Sequence, residues 1–300
     1  MALKFISDPD SQSGKCYHPH QGLRRVVAPN AGPFTYTGTG TYILGENDVA
    51  VIDPGPDNPA HLDALMNAIG DARISHIIVT HTHRDHSPLS QALKKLSGAP
   101  IWGCPPLAPH GDGDHFEEAL DDSYKPDRIL KDGDIVEGNS WTLKAIATPG
   151  HVSNHFCYHW LEENALFCGD HVMSWSTSVI LPPDGDMADY LTSLEKIKAM
   201  DVSTLWPTHG QPITEVKPFL SALIQHRMDR ESAILATLNE GESAIMPIVE
   251  KLYIDTPKAL YPAAARSVFA HLIKLKKEGR VDCHGDASLD AVYFACTTNS

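Results

Sequence analysis

The sequence predicts a mixed α/β fold: an αββα sandwich, two sheets flanked by helices, followed by a small C-terminal domain. Three observations carry that expectation. Between residues 35 and 209, apolar runs of strand length are interleaved with stretches of helical period. Strand-like runs repeatedly end in a turn that presents a His or Asp, as when several strands deliver side chains to one sheet edge. Beyond residue 216 the pattern changes to long helices. At 300 residues the chain fits one large domain and one small one, divided at this change into residues 1–220 and 221–300.

In chain order, residues 1–30 read as an extended lead-in. Thr41-Tyr42-Ile43-Leu44 and Val49-Ala50-Val51-Ile52 flank Gly45-Glu46-Asn47-Asp48, a hairpin signal. Asp53 then closes a strand before Pro54-Gly55. Residues 58–69 are helical by period, with Leu62, Leu65, Met66 and Ile69 on one face. Ile74-Ser75-His76-Ile77-Ile78-Val79-Thr80 is rich in β-branched residues and predicts a buried strand. It opens onto His81-Thr82-His83-Arg84-Asp85-His86, and Ser87-Pro88 reads as a helix N-cap and first turn. Residues 103–128, rich in Pro, Gly, Asp and His, predict a mobile loop near that cluster. Residues 141–147 alternate apolar and polar before Thr148-Pro149-Gly150 presents His151. Ala165-Leu166-Phe167-Cys168 leads to Gly169-Asp170, and Thr204-Leu205-Trp206 to Pro207-Thr208-His209-Gly210.

Residues 219–238, 244–253 and 262–278 predict three helices, the last stopped by Gly279, and residues 291–295 predict a strand. Three helices and a β segment make a winged-helix arrangement. Its third helix carries Arg266, Lys274, Lys276 and Lys277, with Arg280 just beyond, which is one basis for a nucleic-acid-binding regulator. The favoured reading is a protein-contact or capping domain, because residues 226–300 hold 9 Lys+Arg against 10 Asp+Glu, net −1.

Composition excludes several classes. With 42% hydrophobic and 21% charged residues the chain can pack a core and is not a disordered polymer. No apolar run approaches the ~20 residues that span a bilayer. The first 15 residues lack a long apolar segment, so no secretory signal and no membrane partner are expected, and the predicted location is cytoplasmic. Six cysteines without CxxC spacing read as free thiols. A formal charge of −14 opposes long-range capture of a polyanion.

Two imidazoles at i and i+2, then a carboxylate and a third imidazole, give four potential metal ligands within six residues. Nitrogen and carboxylate donors suit Zn²⁺, and Mn²⁺ or Fe²⁺ would fit the same set. His81-x-His83-x-Asp85-His86, Gly150-His151, Gly169-Asp170, Pro207-Thr208-His209-Gly210 and the early Val51-Ile52-Asp53-Pro54-Gly55 together resemble the metallo-β-lactamase-fold hydrolase superfamily. Residues 148–155 and the C-terminal region resemble its β-lactamase-like protein 2 branch, which carries an associated winged helix. The resemblance spans residues 30–215 and leaves no ligand position unfilled.

The resemblance implies two Zn²⁺ per chain. His81, His83 and His151 would hold one, Asp85, His86 and His209 the other, with Asp170 bridging. A hydroxide between the ions would be the nucleophile, and Asp85 would move its proton. Asp53 is expected to fix a ligating imidazole from behind. Trp175, Ser176 and His155 are expected at the substrate pocket, whereas His171 is read as a local hydrogen-bonder. The implied reaction is cleavage of an ester-type bond, foremost a phosphodiester, single-stranded RNA included, or a small anionic ester. A thioesterase, lactonase or weak β-lactamase, a mononuclear iron sulfur dioxygenase and the nucleic-acid-binding regulator are the alternatives. The sequence leaves a homo-oligomer open.

Overall fold

The computed structural model describes residues 3–7, 11–107 and 120–296. Strands β1 (Cys16–His20), β2 (Leu23–Val27), β3 (Gly40–Leu44) and β4 (Asp48–Ile52) run antiparallel. Helix α1 (Pro59–Ile69) leads to β5 (Arg73–Val79), and α2 (Leu89–Ser97) to β6 (Ile101–Gly103) and β7 (Arg128–Ile129). The last three strands continue the sheet in parallel from β4, in the order β1 to β7. The second sheet has the order β12-β11-β10-β9-β8, from β8 (Ile135–Glu137), β9 (Thr142–Ala147), β10 (Phe156–Trp160), β11 (Ala165–Gly169) and β12 (Thr204–Pro207). Helix α3 (Met187–Ala199) precedes β12, and α4 (Val216–Glu240) follows it.

Period-2 alternation builds the sandwich, because successive strand side chains face opposite ways. Leu143 and Ala145, Phe156, Tyr158 and Trp160, Ala165 and Phe167, and Trp206 all join the core between the sheets. Their neighbours Ile146, Cys157, Leu166, Cys168 and Leu205 pack outward with Tyr190, Leu194 and Ile197 of α3 and Phe219, Leu220 and Leu223 of α4. A one-residue slip in any of these strands would exchange the two sets.

The C-terminal part adds β13 (Ser243–Ala244), α5 (Ile245–Leu252), α6 (Tyr261–Lys277), β14 (Val281–Cys283) and β15 (Val292–Ala295). Its strands form a three-stranded sheet beside a third core of Ile234, Leu238, Ile248, Val268, Leu272 and Tyr293. Helix α4 serves two cores: Phe219 and Leu223 pack on α3, Ile234 and Leu238 on α5 and α6. The position between residues 220 and 221 falls inside it.

Some expectations need correction. Within the expected lead-in of residues 1–30, β1 and β2 are extended as expected but pair as a hairpin that was not foreseen. The first strand lies at an edge with Cys, His and Pro at low burial, so no apolar alternation betrays it. Ser87 does not cap α2: its hydroxyl donates to Asp121 Oδ2 at 2.6 Å, tying the helix start to the far end of the 103–128 segment. Residues 108–119 of that predicted loop lie outside the described residues. Leu120 bridges to His83, so the segment's end does lie beside the cluster. The six cysteines are free thiols. Among the described residues no helix is long and apolar enough to cross a membrane.

Candidate metal centre

The C-terminal ends of five strands meet at one edge of the sandwich. β4 delivers Asp53, β5 delivers His81 to His86, and β9, β11 and β12 deliver His151, Asp170 and His209. Hydrogen bonds between the sheets fix this edge. Tyr42 Oη donates to Pro207 O at 2.7 Å, Tyr158 Oη to Val79 O at 2.7 Å, and Gly40 N to Thr208 O at 2.8 Å.

Two clusters result. In one, His81 Nε2 and His151 Nε2 lie 2.9 and 3.1 Å from His83 Nδ1. In the other, Asp85, His86, Asp170 and His209 bring their ligand atoms within 4.8 Å of one another. Asp170 Oδ2 stands between the clusters, 3.4 Å from His86 Nε2 and His209 Nε2 and 4.0 Å from His151 Nε2. Asp85 Oδ2 is 3.3 Å from His86 Nε2 and 3.1 Å from His209 Nε2.

The outer ring nitrogens decide which atoms carry lone pairs inward. His86 Nδ1 donates to Asp53 Oδ2 at 3.0 Å, His209 Nδ1 to Gly38 O at 3.2 Å, and His151 Nδ1 to Val179 O at 2.6 Å. Thr80 Oγ1 donates to Asp53 Oδ2 and so accepts from His81 Nδ1, both at 2.8–2.9 Å. In all four rings the outer Nδ1 is engaged, which leaves Nε2 turned to the centre as the nitrogen that can ligate once it gives up any proton it holds. Asp53, 1% exposed, also accepts from Thr80 N at 2.8 Å and Thr208 Oγ1 at 3.0 Å. It adopts φ 49°, a left-handed conformation that aspartate tolerates better than branched residues.

Burial pushes the imidazoles of His81 and His151 down and takes His83 to about 3, with neighbouring histidines adding to the effect on His81 and His83. The other cluster behaves oppositely. Burial would lower His86 and His209, but Asp85 and Asp170 outweigh it, raising His86 strongly and His209 to about 10. Burial would likewise raise Asp85 and Asp170, but those two imidazoles hold both carboxyls below the usual range. A neutral three-nitrogen face therefore adjoins a set of facing acids and bases. His86 Nε2, His209 Nε2 and Asp170 Oδ1 are buried and find no hydrogen-bond partner among the described residues. Unpaired buried donors and acceptors of these types fit divalent cations, which would replace the protons that now balance the carboxylates.

A narrow cavity over both clusters is lined by Phe34, Thr35, His83, Asp85, His151, Asp170, Met173 and Val179. Trp175 stacks on Tyr36 with ring centroids 4.7 Å apart, and neither it nor Ser176 is in that lining. His155 lies beneath the ligands, where its Nε2 accepts from Asp170 N at 3.3 Å and its Nδ1 pairs with Thr148 Oγ1 at 2.9 Å. His171 is buried, and neither ring nitrogen finds a hydrogen-bond partner among the described residues, contrary to expectation. Sequence reasoning missed Thr80 and Thr208, although a Thr directly before His81 and before His209 is a visible repeat. Phe34, Met173 and Val179 gave no such signal, since apolar loop residues carry no periodicity.

Residues 36–209 match the Metallo-beta-lactamase superfamily, and residues 244–289 the Beta-lactamase associated winged helix domain. The chain belongs to the metallo-β-lactamase superfamily and is a hydrolase of that fold with a candidate metal site. Among known proteins it is similar to the Beta-lactamase-like protein 2 homolog of Caenorhabditis elegans, 33% identical over 269 residues that cover 87% of this chain and 86% of that one. It is also similar to an Atrochrysone carboxyl ACP thioesterase of Paecilomyces divaricatus, 30% identical over 218 residues, 72% of this chain and 64% of that protein. In fold it is similar to a Beta-lactamase domain protein from Burkholderia ambifaria, with a TM-score of 0.79 at 19% identity, covering 98% of this chain and 97% of that one.

Proposed function

We propose that this chain is a dinuclear, zinc-dependent hydrolase of carboxylic esters or thioesters. The observation that carries this reading is the cavity over the two clusters, walled by Phe34, Met173 and Val179 with no Lys or Arg among its described lining residues. Apolar side chains beside the ligands suit the hydrocarbon part of an acyl substrate and add no cationic group for a polyanion. A relative bearing the name of an acyl-carrier thioesterase agrees with it.

Under this proposal His81, His83 and His151 would hold one ion and Asp85, His86 and His209 the other, with the Asp170 carboxylate within reach of both clusters. When bound, such ions lower the pKa of a shared water from 15.7 toward ~7 and polarise the scissile carbonyl. Asp85 takes the proton of the attacking water and returns it to the leaving group. Asp53 holds His86 in the ligating tautomer. Asp53→Asn is therefore expected to weaken metal binding about tenfold to a hundredfold, measured by competition with a chromophoric chelator. Unchanged affinity would reduce Asp53 to a structural tie between β5 and β12. The catalytic unit is taken as residues 1–220 and the C-terminal domain as residues 221–300.

The winged-helix match favours a second reading, phosphodiester or single-stranded RNA cleavage. The charges on α6 weigh against it. Lys274 and Arg280 pair with Glu231 and Glu278, Lys276 with Asp282, and Lys277 with Asp186 at the start of α3. One set of assays separates the readings: an acyl thioester, an aryl ester, a lactone, nitrocefin, bis-p-nitrophenyl phosphate and a short single-stranded RNA. Thioester or ester turnover that disappears with chelator and returns with Zn²⁺ is the expected result. Chelator-sensitive cleavage of RNA or bis-p-nitrophenyl phosphate, faster than any acyl substrate, would overturn it.

A further inference from the structure

We propose that Arg227, on the helix α4 shared by the second and third cores, is a positioning residue for His151, so that the C-terminal domain tunes the metal affinity of the His81/His83/His151 cluster. The inference rests on the metal-site reading above and is independent of the substrate.

Arg227 is 4% exposed although it carries a permanent charge. Its Nη2 donates to Ser178 O, and its guanidinium lies over the Tyr190 ring, 5.3 Å from the centroid. Both contacts lead to His151. Ser178 directly precedes Val179, whose carbonyl accepts from His151 Nδ1 at 2.6 Å. Ser178 Oγ further ties this segment to His171 O at 2.9 Å. Tyr190 backs the turn that delivers His151: a Cβ on Gly150, at φ +136°, would lie 2.3 Å from Tyr190 Cα. The guanidinium thus braces the acceptor of His151 on one side and the support of its turn on the other.

One helical turn along α4, Glu231 accepts from Lys274 Nζ and Arg280 Nη1, both at 2.7 Å. Helix α6 thus anchors α4 at Glu231, one turn from Arg227, and Arg227 reaches Ser178 O beside the Val179 carbonyl that holds His151. The other histidines are anchored differently. His81 is held by Thr80, His86 by Asp53 and His209 by Gly38 O, all in or beside the first sheet. A planar, two-sided guanidinium can grip a carbonyl and cover a ring together, which an ammonium cannot.

The test reads Zn²⁺ affinity of the full-length chain, stripped of metal and titrated against a chromophoric chelator. Arg227→Met and Arg227→Lys are each compared with wild type, then combined with His151→Ala. Arg227→Met is expected to weaken the affinity for one of two ions about tenfold and leave the other unchanged. In the His151→Ala background it should add nothing, since the ligand it positions is gone. Arg227→Lys should lie between Arg227→Met and wild type, and it serves if Arg227→Met does not fold. Equal weakening of both ions, or the same weakening with and without His151, would overturn the proposal, because a general packing role predicts those results. A wild-type chain that binds no Zn²⁺ overturns the metal reading itself, so the two failures are distinguishable.

Discussion

Asp85→Ala is expected to lower kcat/KM at least about a thousandfold while the chain stays folded. Two effects combine. Asp85 Oδ2 faces His86 Nε2 and His209 Nε2 at 3.3 and 3.1 Å, so its loss removes the anionic oxygen those two nitrogens share with Asp170. A group that moves a proton in the transition state contributes roughly 10²–10⁴-fold by itself, and weaker retention of the second ion adds to the loss. The fold should survive because Asp85 sits on a strand-end loop and belongs to no hydrophobic core. Metal analysis gives an independent reading: about one ion per chain should remain, held by His81, His83 and His151. Near wild-type turnover with a single ion bound would mean that the second cluster is not catalytic, and a mononuclear mechanism would replace the one proposed.

The parts of this site legible in the sequence are those that repeat. A strand, a Gly or Pro turn and a ligand residue recur at His151, Asp170 and His209, and the His81 to His86 run marks the first strand end. Each is local, so spacing alone exposes it. The hairpin of β3 and β4 and the four long helices α1, α3, α4 and α6 do not all share that advantage. α1, α4 and α6 bury one face and show a helical period, while the predicted elements did not single out α3, whose burial of Met187, Tyr190, Leu194 and Ile197 depends on the second sheet. What stayed hidden depends on contacts distant in sequence. Val179 O on His151, 28 residues away, and Thr208 Oγ1 on Asp53, 155 residues away, follow from the closed sandwich and from no pattern within a window. The bases on α6 are the opposite case. Read along the chain they look available to phosphate, yet Lys277 reaches Asp186, 91 residues earlier, and the pairing partner of Lys274 and Arg280 lies on α4.

That partner, Glu231, carries the second large effect. It is 1% exposed and accepts from Lys274 and Arg280 at 2.7 Å each, with His271 Nδ1 at 4.0 Å. Removing one member of a buried charge group costs about 3–5 kcal/mol, because the remaining charges lose their counter-ion in a medium of low dielectric. Glu278 also pairs with Lys274 at 2.7 Å and Arg280 at 3.2 Å, which places Glu231→Gln at the lower end, about 3 kcal/mol. The thermal midpoint should fall by roughly 6 °C. The pH dependence distinguishes charge loss from lost packing. Burial would raise the Glu231 carboxyl, but His271, Lys274 and Arg280 outweigh it and bring it from 4.5 to about 2. A carboxyl lowered on folding stabilises the protein above its unfolded value, and that contribution is lost as pH falls from 4.5 through about 2. Denaturation by urea across that window should show wild type converging on Glu231→Gln as the acid limb is descended. A stability gap that stays constant down to pH 2 would mean that Glu231 acts through its shape and not its charge.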